Sequence, residues 1–220
     1  MPDKSSLFVL LVLSVFLSSP ACAEYIYPYV SLTIGSPLTS VNKLSDSSGS
    51  LKTDFDPGYM AGLAAGVSFE TTPGWNIEQV RAEVEVGYRS SDLTRMRNTL
   101  GQKANMDGTV SVTNFMLNGY LENSSIVSNE LKLNLFLTAG VGGAISSISS
   151  VTYQGATLVQ SASDTQFAYQ GGFGTGFALT KNIMLDATYK YMATTTFKFK
   201  GVEAEYGSHN ILFGARYTFK

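Results

Sequence analysis

The chain contains almost none of the residues that build covalent cross-links or metal centres. Among 220 residues there is one cysteine, Cys22, and one histidine, His209. A single cysteine cannot close an intramolecular disulfide, and a structural zinc site generally takes four cysteine or histidine ligands. We therefore expect no disulfide, no metal and no cofactor.

Strong net charge and long apolar runs are missing as well. The formal net charge is -2, so the chain lacks the basic field that nucleic-acid binding requires, and we expect no nucleic-acid partner. After residue 23, no stretch approaches the ~18 consecutive apolar residues of a membrane-spanning helix. Because 44% of the residues are nevertheless hydrophobic, the apolar residues must follow another pattern.

The first 23 residues have the features of a secretory signal peptide. A positive charge precedes an apolar run over residues 7–17, and small residues follow at 21–23. This pattern predicts cleavage before Glu24 and a mature chain of residues 24–220. A membrane anchor is disfavoured because the run covers eleven residues, about half of the ~20 that a spanning helix needs. An acylated Cys22 is disfavoured because Ser19 stands where a branched aliphatic residue is required.

The segment from Leu131 to Ile145 alternates strictly between two faces. Its odd positions carry mainly leucine, valine and isoleucine, and its even positions are largely small or polar. A period of two indicates a β-strand, and this one is much longer than the usual ~5 to 6 residues. Because ~9 to 11 tilted residues cross a bilayer, a strand this long and one-sided fits a membrane-spanning sheet.

Seven further segments alternate in the same way, which makes eight. They are bounded by clusters of Gly, Asn, Asp, Ser and Pro, as strands commonly are. The eight predicted strands are approximately Tyr25–Gly35, Tyr59–Phe69, Val80–Ser90, Thr113–Leu121, Leu131–Ile145, Phe167–Leu179, Ile183–Tyr191 and His209–Phe219. The pattern predicts an all-β fold, an eight-stranded antiparallel up-and-down transmembrane β-barrel.

The connections between these strands alternate in length. The long ones are rich in Ser, Thr, Asp and Gly and cover residues 36–58, 91–109, 146–165 and 192–208, whereas the short ones are Thr71–Gln79, Glu122–Glu130 and Thr180–Asn182. Barrels of the bacterial outer membrane have short periplasmic turns and long external loops. An even number of strands then predicts that both termini are periplasmic, with four external loops.

A soluble eight-stranded barrel or sandwich would show the same alternation, with the apolar face turned inward. Three features favour the lipid-facing arrangement instead. Glycines are frequent on the polar face and suit a crowded lumen, and charge is sparse outside the loops. Aromatic residues stand at strand ends, as at Tyr88, Phe167, Tyr189 and Tyr217.

Several stretches resemble the opacity and bacterial surface-antigen family of outer-membrane β-barrels, which is similar to the transmembrane domain of outer-membrane protein A. They are residues 113–120 (TNFMLNGY), 139–144 (AGVGGA), 167–170 (FAYQ), 179–191 (LTKNIMLDATYKY) and 214–219 (GARYTF). The resemblance covers most of the mature chain and is clearest from the fourth strand onward. It implies an eight-stranded barrel that displays loops and has an adhesin, antigen or membrane-structural role.

The last strand resembles the signal by which such barrels are recognised for assembly. Gly214, Tyr217 and Phe219 occupy the positions of its glycine and two alternating aromatics. Leu212 stands where a polar residue is common, and Lys220 follows the last aromatic. The resemblance implies the barrel-assembly machinery and outer-membrane lipid as partners.

Charged residues fall on the inward face of several predicted strands. They are Arg81, Glu83, Glu85, Arg89, Lys132, Asp186, Lys190 and Arg216. Charges in a narrow apolar-walled lumen are costly unless they are paired. Because eight strands leave an interior that side chains can fill, the favoured interpretation is a structural ion-pair network, and the alternative is a narrow pore.

Enzyme motifs are nearly absent. Ser208 and His209 suggest a catalytic dyad, but adjacent strand residues point to opposite faces. The favoured function is a non-enzymatic surface protein, with a lipid-modifying barrel enzyme as the alternative. The loops of such a surface protein would contact a host receptor, a glycan or lipopolysaccharide. For the basic residues Arg95, Arg97 and Lys103, the favoured interpretation is a solvated face, and the alternative is contact with an anionic partner such as lipopolysaccharide or a sulfated glycan.

Overall fold

The computed structural model describes residues 26–39, 43–46, 49–55, 57–71, 77–97, 103–126, 132–149, 151–153, 156–159, 162–195, 197–199, 202–204 and 206–219. The predicted signal peptide, residues 1–23, lies outside these ranges, as does Lys220. Every regular element within them is a β-strand. No helix in the described part of the chain is long and apolar enough to cross a membrane.

Eight long strands form a closed, all-antiparallel barrel. They are β1 (Ile26–Thr39), β2 (Tyr59–Glu70), β3 (Gln79–Arg97), β4 (Lys103–Ile126), β5 (Lys132–Ile148), β6 (Ala162–Ala178), β7 (Ile183–Thr194) and β8 (Gly207–Thr218). Each strand pairs with the next along the chain, and β1 pairs with β8, from Tyr29 opposite Thr218 to Thr39 opposite Ser208. The up-and-down barrel predicted from the sequence is confirmed.

The alternation of each strand sets its two faces. On β5, Leu137 is 62% exposed on the outside, whereas its neighbours Phe136 and Thr138 are 4% and 6% exposed in the interior. The same parity turns Leu32, Leu117 and most other large aliphatic residues outward, whereas Val112 and Leu212 face the interior. A soluble barrel would place its apolar face inside, so this arrangement fits lipid contact instead.

Glycine permits the walls of the narrow interior to approach one another. A Cβ atom at Gly174 on β6 would overlap the ring of Phe136, which is its register partner on β5. At Gly142, a Cβ atom would collide with the backbone carbonyl of Phe115 on β4. The lumen therefore has space for a large side chain such as the Phe136 ring because the facing residue has no side chain.

The barrel has two different ends. At the turn end, β1 begins and β8 finishes, and Thr180 to Asn182 connect β6 with β7. At the loop end, β3 and β4 continue as a paired ribbon to Arg97 opposite Lys103. Most of the predicted loop 91–109 is thus strand, and that expectation was wrong. The sequence shows no apolar alternation there because neither face of the ribbon lies against lipid, so neither face has to be apolar.

Further short strands extend this ribbon into a loop sheet. On one side lie Gly49–Phe55, Lys43–Asp46, Val202–Ala204 and Phe197–Phe199, in that order, and on the other lie Val151–Tyr153 and Ala156–Val159. Gly49–Phe55 pairs with β3, and Val151–Tyr153 pairs with β4 through Asp107. The four connections predicted as external loops thus contribute to one sheet above the barrel rim.

Candidate functional site

The lumen at the turn end is organised around Glu122 of β4, which is 2% exposed. Arg81 Nε lies 2.7 Å from Glu122 Oε2, in a direction that makes the contact an ion pair rather than a hydrogen bond. Arg216 donates to both carboxylate oxygens at 3.3 and 3.4 Å, and Asn134 donates to Oε1 at 2.8 Å. Asp186 adds a second anion 3.5 Å from Arg216 Nε.

Aromatic rings complete the surroundings of Arg81. Its Cζ lies 4.1 Å from the ring centroid of Tyr120, 5.3 Å from that of Phe136 and 5.6 Å from that of Tyr29. A guanidinium over an aromatic face is attracted by the ring quadrupole, more strongly when both are desolvated. The cation is therefore held by one carboxylate and three rings.

A middle layer lies between the turn end and the loop end of the lumen. It is formed by Glu83 and Glu85 of β3 and the side chains that hydrogen-bond to them. Glu83 accepts hydrogen bonds from Tyr29 at 2.8 Å, Tyr120 at 2.5 Å and Asn118 at 3.1 Å. Glu85 accepts from Lys190 at 2.7 Å, from Asn118 at 2.8 Å and from Gln170 at 3.4 Å. Donors from β1, β4, β6 and β7 thus converge on the two glutamates of β3, which fastens opposite walls together.

The loop-end layer differs in kind. Arg89, 2% exposed, donates to Ser208 at 2.9 Å, to Asn114 at 3.1 Å and to Asn210 at 3.4 Å. Among the described residues no carboxylate forms an ion pair with it. The adjoining buried cluster is apolar and consists of Val112, Met116, Ala144, Ala168, Met192 and Tyr206.

The eight charged residues predicted to face the lumen can now be placed. Seven are largely buried inside the barrel: Arg81, Glu83, Glu85, Arg89, Asp186, Lys190 and Arg216. The backbone of Lys132 pairs with Ile126 at the turn end, and its side chain lies outside the described part. Within the described part of the barrel, Arg89 forms no ion pair with the other six and is hydrogen-bonded to neutral side chains. Glu122 was missed because the fourth strand was predicted to end at Leu121, although its parity continues that of Asn118 and Tyr120.

A small cavity remains between the middle and turn-end layers. Its volume is about 30 Å³, and its lining includes Thr33, Glu83, Asp186, Lys190 and Gly214. A buried water needs roughly 10 to 15 Å³ of such volume, so the cavity has space for one or two waters. Arg81, Tyr120 and Phe136 also line the cavity and are buried across the lumen.

The residues predicted to form an assembly signal lie at the turn end of β8. Tyr217 and Phe219 face outward with ring centroids 5.0 Å apart. Gly214 faces the lumen beside Thr33, whose Cγ2 would be 3.1 Å from an added Cβ atom. Recognition of these residues by assembly machinery stays a prediction.

Ser208 and His209 point to opposite sides of the barrel wall. Ser208 is buried against Arg89, whereas the Nδ1 of His209 lies 2.5 Å from the hydroxyl of Tyr189 on the lipid side. The ring of Tyr191 is 4.9 Å from that of His209. The two residues therefore do not form a dyad. The described residues include no cluster of His, Cys, Asp or Glu suited to a metal ion.

A row of basic residues crosses the loop sheet. Lys43 is in register with Lys52, Lys52 with Arg97, and Arg97 with Lys103. Register partners on adjacent strands share a face of the sheet. With strands ~4.8 Å apart, the four positions span roughly 14 Å. Arg95, also predicted as a loop cation, is opposite Asp54 in the neighbouring row.

The chain matches a family model and is similar, over part of its length, to a known outer-membrane protein. A family model described as outer membrane protein beta-barrel domain matches residues 8–219. Outer membrane protein PagN of Salmonella typhimurium is 36% identical over 91 residues, which cover 40% of this chain and 36% of PagN. The match therefore spans about a third of that relative.

Two solved structures are among those similar to this chain. Neisserial surface protein A is 17% identical with a TM-score of 0.47, and the alignment covers 87% of this chain and 97% of that one. OprG of Pseudomonas aeruginosa is 10% identical with a TM-score of 0.47, covering 89% and 96%.

Proposed function

The chain belongs to the family of outer membrane protein β-barrel domains, and from this premise we propose that it is a non-enzymatic surface protein that binds an anionic glycan through its loop sheet. Its turn end and both termini would face the periplasm, and the loop sheet would face the outside. The barrel would serve as a filled support. The absence of a Ser208–His209 dyad and the side chains that cross the lumen support this assignment over an enzyme or a pore.

The row of Lys43, Lys52, Arg97 and Lys103 is the observation that carries the proposal. Like charges directly opposite on adjacent strands destabilise a sheet. Four such positions in succession would therefore be unfavourable in the free protein, and a bound polyanion would offset that cost. A sheet also fixes the spacing of the positions, so a chain of regularly spaced sulfates or phosphates could bind several of them at once.

The distance of the row from the membrane restricts the partner. Tyr88 is the last outward aromatic of β3 before the ribbon, and Arg97 lies nine residues farther along the same strand. At ~3.3 Å per residue the separation is roughly 30 Å along the strand, and less in height because barrel strands tilt by ~35 to 45°. Phosphates at the membrane surface would lie too far below the row to contact it. The partner would therefore be an anionic sugar chain that extends away from the membrane.

The test is binding of a fluorescent heparin oligosaccharide to the detergent-solubilised barrel. The variant Lys52→Gln with Arg97→Gln removes the two central cations, and Lys198→Gln, opposite Glu203 in the same sheet, is the charge control. We expect the double variant to lose about ten-fold or more in affinity, with a weaker dependence on salt. Equal binding by the double variant and the control would contradict the proposal.

A parallel titration with purified lipopolysaccharide core oligosaccharide separates the two sources of anionic sugar. Tighter binding of the sulfated chain would indicate an extracellular matrix glycan. Tighter binding of the core oligosaccharide would indicate the bacterium's own surface. Binding of neither oligosaccharide by the wild-type barrel would remove the proposed function.

A further inference from the structure

The lipid-facing surface has a groove that crosses five neighbouring strands. Its volume is about 770 Å³ and its lining is almost entirely apolar. That volume lies within the ~300 to 1,000 Å³ of pockets that hold a small organic ligand. The groove is open along its length, so its occupant would lie against the barrel wall rather than inside an enclosed pocket.

The floor of the groove follows the register of the strands. Val84 is in register with Ala65, Ala65 with Val30, Val30 with Tyr217, and Tyr217 with Ile183. The neighbouring row runs from Val86 through Leu63 and Leu32 to Ala215. Ala65 and Ala215 are the small residues of these rows, and their larger neighbours form the sides.

The direction of the groove suits a lipid of one leaflet. Ile183 begins β7 at the turn end, whereas Val84 lies well inside β3. Four strand spacings of ~4.8 Å give a length of roughly 19 Å. One leaflet contributes ~15 Å of the hydrocarbon core, so an oblique acyl chain can follow the groove from the turn-end surface toward the midplane.

A cation stands at the turn-end mouth of the groove. Lys181 is exposed in the turn, two residues before Ile183. Thr180 Oγ1 accepts hydrogen bonds from the N–H groups of Asn182 at 3.3 Å and Ile183 at 3.0 Å. Asn182 and Thr218 are joined by two further hydrogen bonds of 2.8 Å. The backbone of Lys181 is thereby fixed at the end of the strand that carries Tyr217.

We propose that this groove is a binding site for one anionic phospholipid of the leaflet at the turn end. Its acyl chains occupy the rows of Ala65 and Ala215, and its headgroup phosphate pairs with Lys181. A charge-assisted contact at the membrane surface gives a preference for anionic lipid. The apolar floor gives affinity for the chains whatever the headgroup. The site is independent of the loop sheet and of any glycan.

Native mass spectrometry of the barrel, released from detergent and titrated with dioleoyl phosphatidylglycerol or dioleoyl phosphatidylcholine, tests the proposal. We expect the wild-type protein to retain one phosphatidylglycerol about five-fold more tightly than phosphatidylcholine. Lys181→Gln should abolish this preference and leave phosphatidylcholine binding unchanged, and Lys181→Arg should restore it. A wild-type barrel without preference, or an unchanged preference in Lys181→Gln, would overturn the headgroup assignment.

A matched pair of variants tests the groove itself. Ala65→Leu with Ala215→Leu fills the floor, and we expect about ten-fold weaker retention of both lipids. Ala61→Leu with Ala139→Leu adds the same bulk at lipid-facing positions outside the groove and should have no effect. Equal losses in both pairs would show an unspecific lipid shell. A wild-type dimer that only the first pair abolishes would identify a second copy of the chain as the occupant instead.

Discussion

The turn-end half of the lumen holds paired charges, whereas the loop-end half holds apolar side chains, uncharged polar side chains and one arginine with neutral partners. In the first, Glu122 lies between Arg81 and Arg216. In the second, Arg89 rests on hydroxyl and amide oxygens beside Met116 and Met192. The difference shows that the interior of a small barrel can be closed either by ion pairs between walls or by apolar packing combined with neutral hydrogen bonds.

Removal of the Glu122 carboxylate should have the largest effect on this comparison. Glu122→Ala leaves two guanidiniums buried without their shared partner, and we expect a loss of about 3 to 5 kcal/mol in the free energy of unfolding. Urea titration of the barrel folded in lipid vesicles measures it. Glu70→Ala, which removes an exposed carboxylate at the same end, is the control. Equal stability of the two variants would show that the turn-end half is hydrated.

Truncation of Met192 tests the hydrophobic half. This side chain is fully buried in the loop-end cluster, and Met192→Ala should cost about 2 to 3 kcal/mol through lost contacts and a residual cavity. The same urea titration applies, and the loss should not change between low and high salt. Met184 is only half-buried and lies at the turn end, so Met184→Ala should cost less. A loss in Met192→Ala that depends strongly on salt would contradict apolar packing there.

One substitution made at both ends sharpens the contrast. Arg89→Met gives up charge-assisted hydrogen bonds worth ~1.5 to 3 kcal/mol each. It also removes the desolvation cost of a buried cation that forms no ion pair among the described residues. The two effects oppose each other, so we expect stability within about 1 kcal/mol of wild type. Arg81→Met leaves Glu122 with one cation fewer and should cost about 3 kcal/mol. Equal costs at the two positions, measured in parallel unfolding curves, would remove the distinction between the halves.

The smallest effect is expected in electrical conductance. Because both halves are filled, the wild-type barrel should show no steady current in planar bilayers. Glu83→Ala should show none either, since Tyr29, Tyr120 and Asn118 remain to occupy the middle layer. A large and steady wild-type conductance would replace the filled lumen with a narrow pore.

The sequence periodicity predicts which residues face outward and inward, but it does not predict which side chains contact one another inside the lumen. Alternation alone assigns Leu137 outward and Thr138 inward, because lipid on one side and a narrow lumen on the other constrain every position. Partner choice depends instead on which strands meet across the lumen, as Lys190 of β7 meets Glu85 of β3. The register of Lys52 with Arg97 likewise requires the paired strands, because those segments carry no amphipathic signal.

The seam between β1 and β8 has a consequence for the order in which the protein can be made. Tyr29 finds its partner Thr218 only when nearly the whole chain is available, and contacts so distant in sequence form slowly because a very long loop must close first. Until then, β1 has one unsatisfied edge and Glu83 lacks the hydroxyl of Tyr29 in its final position. A chain without β8 would lose the enclosure on which the inward charges depend, so we expect barrel formation to be close to an all-or-none event that requires β8.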